Sequence, residues 1–223
     1  MRNIIIAPEE HYHILNRGNN KQPIFLDDHD RARFLFLILY FQSSVIVLNV
    51  SYHILHFMKH SVFNISRNMK KEIFENRYID LVNFALMPNH FHLTIQERKE
   101  GGTARYMQRV LNGYTKYFNA KYKKSGHLFQ GPYKAIHISH DRQLLYLSAY
   151  IHSNPKELQK WSRKPEAYPW SSYQDYTQKN RRGSLLQMGI ITEQFPHVKK
   201  YRDFVETSGA KKQNKYLGEE HYI

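Results

Sequence analysis

Asp80-Leu81-Val82-Asn83-Phe84-Ala85-Leu86-Met87-Pro88-Asn89-His90-Phe91-His92-Leu93-Thr94-Ile95-Gln96 is the stretch that decides the fold. Its first eight residues read as a buried strand and Pro88-Asn89 breaks it. His90 to Gln96 then reads as a second strand, and so short a connection makes the two antiparallel neighbours. The two-residue period of a strand sets His90 and His92 on one face and Phe91 on the other. Two imidazoles side by side can chelate one divalent ion. A bare His-x-His is weak evidence among 14 histidines, and the competing reading is a solvated or hydrogen-bonded pair.

Working towards the N-terminus, His11 to Asn16 mixes polar and apolar residues as a strand does, and Arg17-Gly18-Asn19-Asn20 ends it as a turn. Asp27-Asp28-His29-Asp30 supplies capping groups and negative charge for a helix that continues to Tyr40. Residues 43–75 mix β-branched runs with basic stretches and read as an insertion of undefined structure. Towards the C-terminus, Gly101-Gly102-Thr103 precedes a helix from Ala104 to about Lys123, with Met107, Val110, Leu111, Tyr114 and Phe118 at helical spacing. Leu128 to Ile138 reads as loop then strand. Asp141 opens a helix running to about His152, which Asn154-Pro155 terminates.

The order strand, helix, strand, strand, helix, strand is that of an α+β, ferredoxin-like (βαββαβ) domain with an antiparallel sheet. That topology sets the His90 strand beside the one carrying His13. The expected organisation is a domain over 1–158, with the 43–75 insertion, and a C-terminal extension over 159–223. The extension contains Tyr168-Pro169-Trp170-Ser171-Ser172-Tyr173, a basic loop at Lys179 to Gly183 and a short amphipathic stretch.

The chain has 223 residues, with 33 Lys and Arg against 19 Asp and Glu, a formal charge of +14. Such a surplus points to a polyanionic partner, nucleic acid first. Tyrosines and phenylalanines set among cations, as in Tyr114-Thr115-Lys116-Tyr117-Phe118-Asn119, suit stacking on unpaired bases, although some of these rings must be core. Cysteine is absent, which removes disulfides, a thiol nucleophile and Cys-built zinc sites. No apolar run is long enough to span a membrane, and the apolar stretch at Met1 to Pro8 is too short for a signal peptide. The expectation is a cytoplasmic protein with no membrane partner.

On the last helix, Tyr150 and Asn154 are four residues apart and share a face. Asn154 can offer an amide oxygen to a hard metal and Tyr150 a phenolic oxygen for covalent attack. Tyr146, Tyr114 and Tyr117 are chemically equal rivals, and Asn154 reads equally as a cap before Pro155.

Leu86-Met87-Pro88-Asn89-His90-Phe91-His92-Leu93 resembles the His-hydrophobe-His signature of single-tyrosine HUH transposases, the IS200-like superfamily, and in particular its branch of REP-associated tyrosine transposases. Four further segments resemble that branch in order: Tyr12 to Asn19 with Pro23-Ile24-Phe25, Gly126 to Lys134, Tyr150-Ile151-His152-Ser153-Asn154-Pro155, and Tyr168 to Tyr173. The resemblance covers roughly 11–25 and 80–173, and the long 43–75 segment departs from it.

The resemblance implies that His90 and His92 bind a divalent metal, Mg²⁺ or Mn²⁺, with Asn154 completing the coordination and Tyr150 as nucleophile. It implies nicking and rejoining of single-stranded or hairpin DNA through a 5′-phosphotyrosine, by a monomer or homodimer. Arg17, Asn89, Arg109, Lys116 and Lys134 are the candidate DNA contacts, since phosphate ligands come from scattered cations and amides. Alternatives are a non-cutting binder of folded repeat DNA, a metal-dependent phosphoesterase that activates water, and an RNA-binding domain of the same fold.

Overall fold

The hairpin at residues 79–97 lies within one antiparallel sheet of a computed structural model that describes residues 5–212. The strands are β1 (His11–Arg17), β2 (Ile79–Met87), β3 (His90–Glu97) and β4 (Lys134–Ile138), in the order β2-β3-β1-β4. β1 and β3 are therefore the central pair, as the ferredoxin-like order requires. Their register sets Leu15 opposite His92 and Arg17 opposite His90. The helices are α1 (Asp28–Tyr40), α2 (Val50–His60), α3 (Arg67–Glu75), α4 (Gly102–Tyr122), α5 (Asp141–Ser153), α6 (Tyr173–Thr177), α7 (Gly189–Thr192) and α8 (Val198–Thr207). The N-terminal Met1 to Ile4 and the extension beyond 212 lie outside the described residues. No helix among those described is long and apolar enough to cross a membrane.

The alternation of β3 divides the core from the site. Phe91 turns to one face, where its ring lies 4.9 Å from Phe34 of α1, and Phe34 meets Tyr114 of α4 edge-on at 5.0 Å. His92 turns to the other face, where α5 lies. α1 and α4 are tied at their ends by buried Asp30. It closes a capping box with Asp27 and accepts from Lys121 Nζ at 2.7 Å, Tyr117 at 2.9 Å and Tyr122 at 2.8 Å. α4 starts at Gly102, two residues earlier than its apolar spacing suggests. Buried Glu97 accepts from the amides of Gly102 and Thr103, which satisfies open N–H groups of the first turn. Gly102 is needed there, because a Cβ would stand 2.5 Å from the Tyr78 carbonyl oxygen.

The 43–75 segment is not irregular. It forms α2 and α3, which bury Ile54 and Ile73 against the core, and the connection between them buries Phe63 and Ile65. Phe57 stacks on Phe63 at 4.3 Å.

β2 is buried along its whole length although it ends the sheet. The segment after residue 160 covers that edge. Leu86 N–H donates to the Trp170 carbonyl, Ser172 N–H to the Phe84 carbonyl, and Gln187 N–H to the Leu81 carbonyl. The hydroxyls of Tyr168 and Tyr176 donate to Leu86 and Val82 carbonyls at 2.6 and 2.9 Å. An uncovered edge invites pairing with another chain, so the extension completes the sheet.

Candidate active site

A cavity of about 270 Å³ opens where β1 and β3 meet the C-terminal end of α5. His90, His92, Tyr150, Asn154 and Arg17 line it, together with Leu15, Lys21 and Glu157. Residues some sixty positions apart in the chain thus share one space. The Tyr150 ring meets the His92 ring edge-on, with 5.4 Å between centroids, and His92 meets His90 at 5.0 Å.

Each imidazole is held by its Nδ1. His90 Nδ1 lies 2.7 Å from Asn89 Oδ1, while Asn89 Nδ2 donates to the Lys21 carbonyl at 3.1 Å. That second bond fixes which end of the amide is oxygen, and an amide oxygen only accepts. His90 therefore carries its proton on Nδ1 and presents Nε2 as a lone pair. His92 Nδ1 lies 2.9 Å from His13 Nε2, and ligation through His92 Nε2 requires His92 to donate in this pair. Burial holds both rings neutral, His90 with its pKa lowered to about 4 and His92 well below the usual range. Neutral rings oriented by an outer hydrogen bond are the form in which histidine ligates a metal.

Asn154 is buried, and its Nδ2 donates to the Tyr150 carbonyl at 3.1 Å. Its Oδ1 is thus the atom left to accept or ligate. Among the described residues no three His, Asp or Glu side chains gather as a ready ligand cluster. Two imidazoles and one amide oxygen form a partial donor set, which fits a divalent ion whose remaining positions are filled by water or phosphate oxygens.

The rival tyrosines are employed elsewhere. Tyr114 donates to the Ile24 carbonyl at 2.5 Å, Tyr117 donates to Asp30 with its pKa pushed up to about 12 by burial, and Tyr146 packs on Phe204 at 5.4 Å. None lines the cavity.

The candidate DNA contacts separate. Arg17 lines the cavity, and Asn89 orients His90. Lys134, on edge strand β4, is the cross-strand partner of cavity-lining Leu15. Arg109 is not brought to the site. Its guanidinium donates to the carbonyls of Ser43 and Val45 and lies 4.6 Å over the Phe41 ring, so it clasps the chain after α1. Lys116 is exposed on α4, which packs on the sheet face opposite His92.

Four residues at the site were not singled out from sequence, among them Lys21, which lines the cavity. His13 was recognised only as a strand neighbour. The register, His13 opposite Thr94 and Leu15 opposite His92, makes His13 and His92 diagonal neighbours on one face, which was the available signal. Glu157 and Lys211 had none. They form an ion pair at the cavity, with Lys211 Nζ 5.9 Å from the centre of the Tyr150 ring.

The family described as "Transposase IS200 like" matches residues 8–154. Among solved structures, "Structure of the REP associates tyrosine transposase bound to a REP hairpin" is similar at a TM-score of 0.47 and 13% identity, covering 78% of this chain and 82% of that one. No curated protein matches.

Proposed function

The chain belongs to the IS200-like transposase family, a family of DNA-processing enzymes, and from that premise we propose that it cuts and rejoins single-stranded DNA at a hairpin or repeat, with Tyr150 as nucleophile. The convergence of Tyr150, His90, His92 and Asn154 on one cavity supports this. His90, His92 and Asn154 would hold Mg²⁺ or Mn²⁺. Bound there, such an ion supplies Lewis-acid polarisation of a phosphate oxygen and compensates developing negative charge.

The chain's own groups do the rest. The Tyr150 hydroxyl attacks phosphorus of the scissile diester. A phenolic O–P bond forms, the bond from phosphorus to the 3′ oxygen breaks, and that oxygen leaves as a hydroxyl. The 5′-phosphotyrosine retains the bond energy, so a second 3′-hydroxyl can reverse the step and join strands without a nucleotide cofactor. A phenol of ordinary pKa near 10 must lose its proton during attack. Arg17 and Lys21 supply cations for the strand's phosphates, with Lys134 beside them on β4.

The test is a labelled hairpin-bearing single strand incubated with Mg²⁺ or Mn²⁺ and resolved on a denaturing gel. Wild type leaves a covalent protein–DNA adduct and Tyr150→Phe leaves none. Cleavage with no adduct from wild type would instead identify a phosphoesterase that activates water.

A further inference from the structure

A second cavity, of about 200 Å³, lies at the C-terminal end of α1. The N-terminal end of that helix is tied to the active-site hairpin through Ile24 N–H and the Pro88 carbonyl. Thirteen residues of helix separate the two ends by roughly 20 Å at 1.5 Å per residue. Tyr40, Lys70 of α3, and Arg181, Arg182 and Ser184 of the extension line this second cavity.

Arg182 is the unusual member. It is 9% exposed, its Nε is buried without a partner, and among the described residues its guanidinium donates no hydrogen bond. It lies 5.8 Å over the Phe57 ring. The one carboxylate nearby, Asp175, is taken by Arg181, whose Nε and Nη2 donate to Oδ1 and Oδ2 at 2.9 and 2.7 Å. Burial draws Arg182 down only to about 10, so at neutral pH it remains a cation. Two guanidiniums and an ammonium thus line the cavity, and no carboxylate is among its lining residues. A largely buried cation whose Nε has no hydrogen bond, and whose nearest carboxylate is already bound by Arg181, is costly to hold, and an anion in the cavity would offset that cost.

We infer that this cavity is a binding site for a phosphate-class oxyanion, with the Arg182 fork as its floor, Lys70 as a second charge, and the Tyr40 and Ser184 hydroxyls as further donors. Planar guanidinium matches tetrahedral oxyanions through paired N–H donors, and each such bond is charge-assisted. The oxyanion is either a DNA backbone phosphate or free phosphate. The DNA source rests on the strand-transfer reading; the site itself does not.

Inorganic phosphate titrated into the full chain at constant ionic strength, against chloride, tests the site by thermal melting. Wild type should gain a saturable rise in Tm. Arg182→Met should lose that rise while melting no lower than wild type in chloride, because it removes a largely buried charge that lacks a hydrogen-bonded counter-ion. Lys70→Gln, a partly exposed position, should weaken phosphate affinity about tenfold and decides the matter if Arg182→Met does not fold. No saturable rise in wild type, or the same rise in both variants, overturns the site. Hairpin DNA binding across a salt series then separates the sources. A DNA phosphate predicts a salt slope smaller by about one in Arg182→Met. An unchanged slope beside a lost phosphate response assigns the site to free phosphate. Wild type that binds phosphate yet forms no covalent adduct would leave this site standing and sink the strand-transfer reading.

Discussion

Strand period sets His90 and His92 on one face and helix spacing pairs Tyr150 with Asn154, but both are local rules, and the 5.4 Å between the Tyr150 and His92 rings is what they could not supply. Before the fold is known, Tyr146, Tyr114 and Tyr117 are equal chemical candidates. In the fold, Tyr114 is bonded to the Ile24 carbonyl, Tyr117 to Asp30 of α1, and Tyr146 packs on Phe204. Tyr150→Phe should therefore abolish the covalent adduct, by roughly a thousandfold or more, whereas Tyr146→Phe should leave it. An adduct from Tyr150→Phe would remove the nucleophile assignment. His13 acts one step further out. It fixes the His92 ring from Nδ1, and partners of this kind typically support metal affinity by about 10- to 100-fold. His13→Ala should raise the Mn²⁺ concentration for half-maximal cleavage by that factor with little change at saturating metal. An unchanged metal dependence would make the pair purely structural.

Elements were legible where one face was buried continuously. β2 shows as a near-continuous apolar run, β3 through His90, Phe91, His92 and Leu93 alternating, and α4 through Val110, Tyr114 and Phe118. The α2 segment was not legible because Ile54 is its buried residue while Tyr52, Leu55 and Met58 are exposed, which blurs the helical period. That Arg109 and Lys116 do not line the cavity was hidden for a related reason: charge marks a helix surface without saying which side of the sheet the helix covers. The junction of α1 and α4 carries a pH signature. Burial opposes ionisation of Asp27, but hydrogen bonds from the Lys121 ammonium and the Asp30 amide outweigh it and hold the carboxyl below its usual value. A lowered carboxyl pKa contributes stability that is present above the unfolded value of 3.8 and is lost as pH falls through the folded one. Lys121→Met should thus be destabilised relative to wild type at pH 7, with the gap in urea midpoint narrowing below about pH 4. A gap independent of pH would mean that Lys121 acts by packing alone. α5 is anchored from behind by buried His152, whose ring accepts or donates to Tyr201 at 2.5 Å and Ser172 at 2.8 Å. Tyr201→Phe leaves one buried imidazole nitrogen unpaired and should cost about 1–3 kcal/mol in urea unfolding.

At the scale of the whole molecule, the extension is where the sequence said least and the sheet depends most. Its residues show no clean period, since they meet β2 through backbone groups and hydroxyls as much as through apolar faces. Leu86, Phe84, Val82 and Leu81 of β2 all give or receive hydrogen bonds from residues 168–187. Trp170, Tyr173, Tyr176 and Tyr201 are buried in the same layer. A chain ending at residue 158 would keep every element of the βαββαβ order, along with Tyr150, His90, His92 and Asn154. It would also expose β2 as a long apolar edge, the configuration that templates strand pairing between copies, and it would strip Tyr201 and Ser172 from His152 behind the nucleophile helix. The expected result is a truncated protein that elutes as large aggregates in size-exclusion chromatography. Charged substitutions on the edge-facing side of β2 should restore solubility without restoring adduct formation, because α5 would remain unanchored. A truncated chain that is monomeric and still forms the adduct would show that the sheet and the nucleophile helix stand without the extension.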